Sequence, residues 1–133
     1  MVSFAGINWL AVIVGVVVSN ALGFLWYGPL FGNAWMRMIG KRREEIQSEP
    51  SMYIITMVAS AITMVVLAVI VRAIGSANLL EGALAGAVTW LGIGATATFV
   101  YTTFEGPPTN VWALNGAYQL VVYVVMGALF AIW

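Results

Sequence analysis

Four runs of about twenty residues, each nearly free of charge, constrain this chain more than anything else in it. They extend from Ile7 to Leu25, from Met52 to Ala73, from Leu79 to about Phe104 and from Val111 to Trp133. At about 1.5 Å of rise per residue, a helix of that length matches the hydrocarbon core of a bilayer. A helix also satisfies its own backbone N–H and C=O groups where no water is present to do so. Composition points the same way: 62% of the 133 residues are hydrophobic and 8% are charged, far from the soluble mixture. The expected fold is an all-α integral membrane domain over residues 1–133. Its four transmembrane helices, at about 7–30, 51–73, 79–104 and 111–133, should form an antiparallel bundle, with a short interfacial helix in the segment 31–50.

The first run stops at Trp26-Tyr27-Gly28-Pro29, where two rings suited to the headgroup level precede a helix-breaking pair. Ser19-Asn20-Ala21 offers small residues at which a signal peptide could be cleaved. However, no Lys or Arg precedes the run and it exceeds a typical signal core, so a retained span is expected. Beyond Pro29, Asn33 reads as the cap and Gly40 as the terminus of a short interfacial helix, and Glu49-Pro50-Ser51 reads as the start of the second span. Ile74 to Asn78 is short enough to be only a tight turn, after which Glu81 is within range of Arg72.

Four of the five basic residues, Arg37, Lys41, Arg42 and Arg43, lie between the first two runs. The positive-inside tendency places that segment in the cytoplasm and both termini outside, in a membrane of the bacterial cytoplasmic type. The Glu105 turn would then also be cytoplasmic, where Glu105 and Arg37 could pair. Net charge is zero and no basic stripe is present, so nucleic acid is not an expected partner. Cys, His and Asp do not occur, which removes thiol nucleophiles, imidazole shuttles and Cys/His metal sites. Neither a cofactor nor an enzymatic activity is expected.

Two patterns within the spans stand out. Gly82, Ala85, Gly86, Thr89, Gly92 and Thr96 recur at helical spacing and form a small-residue stripe for close packing, within the protomer or between copies. Counting inward from the cytoplasmic ends, Asn20 lies about 15 Å deep, Ser60 about 13 Å, and Thr96 and Gln119 about 12 Å. With Asn115 they define a polar layer. One reading is a ligand pocket or pore; the simpler one is interhelical hydrogen bonding, each bond contributing about 0.6 kcal/mol. Trp90, in mid-span, is expected to pack in the core or between copies.

Three stretches together resemble the membrane family known as domain of unknown function 1761. They are Leu25-Trp26-Tyr27-Gly28-Pro29-Leu30-Phe31-Gly32 with Ala34-Trp35-Met36, then Trp90-Leu91-Gly92 leading to Phe104-Glu105-Gly106, and finally Asn115-Gly116-Ala117-Tyr118-Gln119-Leu120 followed by Val125-Met126-Gly127-Ala128. The resemblance implies a small bacterial-type protein with four spans and brings no activity with it. The functional expectation is a small oligomeric module that binds or passes a neutral or lipophilic solute. The alternative is a non-catalytic scaffold or accessory subunit that packs on itself or on a membrane partner through the third span. The absence of ionisable groups near mid-membrane argues against proton-coupled transport.

Overall fold

The computed structural model describes residues 4–46, 49–104, 106 and 108–133. Those residues form helices joined by short turns. Four helical stretches are long and apolar enough to cross a membrane: Trp9–Leu30, Pro50–Ile74, Leu79–Phe104 and Thr109–Ile132.

The first comprises α1 (Trp9–Leu25) and a wider π turn, Trp26–Leu30. Asn8 caps α1 by accepting from the Leu10 and Ala11 N–H groups at 3.1 and 3.2 Å. At the other end Pro29 has no N–H to return to the Leu25 carbonyl, and Gly28 leaves helical geometry at φ −112°, ψ −105°. The Phe31 N–H reaches the Trp26 carbonyl instead, at 2.9 Å, and the chain bends there. A short helix, α2 (Gly32–Ile39), follows the bend. It starts at Gly32, where a side chain is excluded because a Cβ would lie 2.7 Å from the Tyr27 carbonyl oxygen. Asn33 is therefore inside the helix and does not cap it. Gly40 ends α2 as expected, in left-handed geometry at φ 69°, with the Lys41 N–H returning to Met36.

The second stretch is α3 (Pro50–Ile74), which begins at Pro50 and ends at left-handed Gly75. Asn78 then caps α4 (Leu79–Thr89). Arg72 and Glu81 do not pair across this turn. Glu81 Oε2 accepts from the Ala77 N–H at 2.7 Å while its own N–H donates to Asn78 Oδ1, and Arg72 lies against Gly6. A second π turn, Trp90–Ala95, joins α4 to α5 (Thr96–Phe104), and α6 (Thr109–Ile132) completes the chain.

α6 is the central element, touching α1, α2, α3, α4 and α5, most extensively α4. The α4–α6 contact exists because three residues lack a side chain. A Cβ on Gly82 would overlap the Gly127 carbonyl, one on Gly86 the Tyr123 carbonyl, and one on Gly127 the Gly82 carbonyl. Part of the expected stripe therefore packs within the protomer. The remainder does not continue it, because one extra residue in a π turn advances all later positions by about 100°. Ala95 is consequently buried, while Gly92 and Thr96 are exposed and no heavy atom lies within 4 Å of a Cβ built on Gly92. Trp90 lies over α6, where a Cβ on Gly116 would be 3.5 Å from its ring.

The core is unevenly distributed. Ile7, Ala11, Val12, Leu67, Val71, Met126 and Phe130 are buried together near the termini and the α3–α4 turn. No residue of α3 before Met64 is buried, and none of α5.

Candidate functional site

At the loosely packed end, α6 presents Asn115 and Gln119 to three neighbouring clefts. One of about 310 Å³ lies between α3 and α6, with Ser60, Thr63, Tyr118 and Gln119 among apolar Ile55, Ala59, Met64 and Val122. A second, of about 490 Å³, is lined by Tyr27, Trp35, Tyr53, Thr56 and Asn115. A third, of about 200 Å³, opens between α5 and α6 beside Thr98, Trp112, Asn115 and Gln119. Thr56 is common to the first and second, Asn115 to the second and third, and Gln119 to the first and third. Among the described residues, no charged one lines any of the three.

The bend at Trp26–Leu30 supplies the wall near α2. It turns Tyr27 so that its hydroxyl donates to Asn115 Oδ1 at 2.6 Å, and Trp26 so that Nε1 donates to the Leu114 carbonyl at 3.2 Å. Tyr27 stands edge-on to Trp35 and to Tyr118, with ring centroids 5.1 and 5.7 Å apart. The Tyr118 hydroxyl donates to the Ser19 carbonyl at 2.5 Å. The aromatic pair that marks the end of the first run thus braces α1 against α6 over eighty-eight residues of sequence.

Several hydroxyl side chains in the long helices are satisfied by their own helices. Thr56, Ser60, Thr63 and Thr89 each donate to the carbonyl four residues earlier, at 2.8 to 3.0 Å. This back-bonding allows Ser and Thr to enter an apolar helix without a partner on another element. Asn20 does the same toward Val16 at 2.8 Å and adds a long contact to Ser60 Oγ at 3.4 Å. Gln119 is different. Its half-buried amide has no hydrogen-bond partner among the described residues, and nothing on its own helix turn provides one. Across Gly94, whose Cβ would lie 3.8 Å from Gln119 Oε1 and 3.7 Å from Trp90 Cδ1, stands an indole whose buried Nε1 is also unpaired.

Of the expected polar layer, Ser60, Asn115 and Gln119 line the clefts, and Asn20 braces Ser60 from behind. Thr96 lies elsewhere, exposed and bonded to the Gly92 carbonyl at 2.9 Å, because the π turn rotates it outward. Glu105, and with it the expected Arg37 pair, lies outside the described residues. Tyr118 and Trp112, outside the expected polar layer, also line the clefts. Trp112 donates to Thr98 Oγ1 at 2.9 Å and meets Phe99 edge-on at 4.9 Å. The available signal was their position, three residues on either side of Asn115 on one helix.

The three clefts share no described lining residue with the opposite end, where a separate recess lies beside Arg72, Ser76, Phe130 and Trp133. Leu67 and Met126, 1% and 0% exposed, fill the interval along α3 and α6.

A family model described as "Protein of unknown function (DUF1761)" matches residues 10–131. No curated protein and no solved structure matches the chain.

Proposed function

Because the chain belongs to the DUF1761 family, whose description assigns no activity, we propose its function from the clefts themselves: it is an integral membrane module that binds a small neutral or lipophilic solute between α3 and α6. The observation that carries this reading is the unpaired Gln119 amide facing an uncharged cleft with apolar walls. The amide is half-buried and open to the cleft, so a solute that displaces water there must fill its hydrogen-bonding capacity or leave it unsatisfied. A solute with one polar group and an apolar body fills it, and about 310 Å³ is at the small end of known ligand pockets. The role is binding rather than catalysis.

Placement in a bilayer rests on the outer surface. Leu10, Ile13, Val17 and Phe24 on α1, and Ile54, Val58 and Ile62 on α3, are each more than half exposed. Apolar surface of this extent is unfavourable in water and ordinary against lipid. In this reading the four spans form an antiparallel bundle with α2 at the interface, the Lys41 segment in the cytoplasm and the termini outside. The clefts then open toward the cytoplasm.

A test uses the absence of native cysteine. Ser60→Cys places one thiol in the cleft, and its reaction with methyl methanethiosulfonate is followed in nanodiscs during titration with neutral amphiphiles such as hexanol and indole. A cleft-binding solute slows the reaction, and Gln119→Leu removes that protection. If no solute slows labelling, or if Gln119→Leu leaves protection intact, the reading fails.

A second reading, a scaffold that pairs with another copy, is favoured by the exposure of Gly92 and Thr96 one turn apart with open space beside Gly92. Under it, Gly92→Leu lowers the mass of the nanodisc assembly; an unchanged mass counts against it.

A further inference from the structure

Four of the five cations converge on one place. Arg37, in the last turn of α2, and Lys41, Arg42 and Arg43, in the segment after it, line a single open cleft of about 550 Å³. The left-handed Gly40 brings this about. By turning the chain back so that the Lys41 N–H meets the Met36 carbonyl, it folds the basic run beside the helix that carries Arg37. All four residues are exposed, and none is ion-paired with a carboxylate among the described residues. Glu44 also lines the cleft, whereas Glu45, on the same short turn, does not.

We infer that this cleft is a binding site for the phosphate of an anionic phospholipid headgroup. Three guanidinium groups and one ammonium, opposed by a single carboxylate, form a site that accepts a phosphate by charge-assisted and bidentate hydrogen bonds. A lipid phosphate and a free phosphate share that chemistry, and position favours the lipid. Trp35, packed edge-on to Tyr27, holds α2 against the end of the first helical stretch, and Met36 supplies an apolar wall beside the cations. The helical stretch that ends beside α2 carries exposed apolar side chains, Phe24 at 77% among them, so apolar surface is available to acyl chains. The assignment rests on the membrane placement above but not on the solute cleft.

The experiment is native mass spectrometry of the full-length protein released from mixed phosphatidylglycerol and phosphatidylcholine micelles. Phosphatidylglycerol should be retained in preference. Arg42→Gln with Arg43→Gln should lower that retention by about 25-fold, at about fivefold per cation. Arg72→Gln, which removes the fifth cation at the other end, should leave it unchanged, and Glu44→Gln should raise it. Circular dichroism and Ser60→Cys labelling in the double variant verify that the bundle and solute cleft persist, so the two readings fail separately. Equal retention of both lipids, or a double variant indistinguishable from the parent, would overturn the inference. Displacement of phosphatidylglycerol by excess inorganic phosphate would also overturn it, by identifying a soluble phosphate site.

Discussion

Gly82, Gly86 and Gly127 let two helix backbones touch, and their energetic role follows from what a methyl group would meet there. The Tyr123 carbonyl occupies the place of a Gly86 Cβ, so Gly86→Ala must push α4 away from α6. Overpacking of this kind costs about 1–3 kcal/mol, read as a lowered melting temperature in detergent. Gly92→Ala meets nothing and should leave stability unchanged or slightly raised, since Gly is about 1 kcal/mol worse than Ala inside a helix. Tyr27→Phe removes the donor to Asn115 Oδ1 and should cost about 0.6–1.7 kcal/mol, the range for hydrogen bonds between membrane helices.

At the scale of elements, the two π turns govern which residues face which neighbour. Deleting Gly92 should convert Trp90–Ala95 to ordinary α-helix and rotate α5 by about 100°. Thr98 would then swing away from Trp112, and the Trp112 indole N–H resonance should shift toward that of an unbonded indole. An unmoved resonance would mean that α5 is positioned by its own contacts with α6. This is also where sequence reading reached its limit. The four apolar runs, the Trp26–Pro29 break, the Gly40 terminus and the Pro50 start were legible because length, hydropathy and backbone chemistry are local properties. Helical phase is not local. One inserted residue divided the small-residue stripe, turning Gly82, Ala85 and Gly86 inward and Gly92 and Thr96 outward, with no composition signal to mark it. The polar layer was half legible for a related reason. Residue type shows that Thr96 and Gln119 are polar, but only three-dimensional packing separates a hydroxyl satisfied by its own helix from an amide that is not.

The whole molecule is a bundle packed tightly at one end and open at the other. From Met64 onward α3 interlocks with α1 and α6, whereas its first half, with α5 and the start of α6, surrounds clefts. That asymmetry underlies the proposal of a binding module with one mouth. It also predicts different tolerance to substitution. Met126→Ala, at 0% exposure, should cost about 2–5 kcal/mol, while Val100→Ala, at 56%, should cost little. A cleft that opens at the Lys41 end and is sealed from the other by Leu67 and Met126 admits reagent from one side only, which sided labelling measures. Ser60→Cys protein is reconstituted in vesicles of known orientation and exposed to a charged, impermeant methanethiosulfonate. Reagent on the Lys41 side should label Ser60→Cys, reagent on the side of the termini should not, and Met126→Cys should resist both. Labelling of Ser60→Cys from the terminal side, or equally from both sides, would mean that the cleft has no such seal.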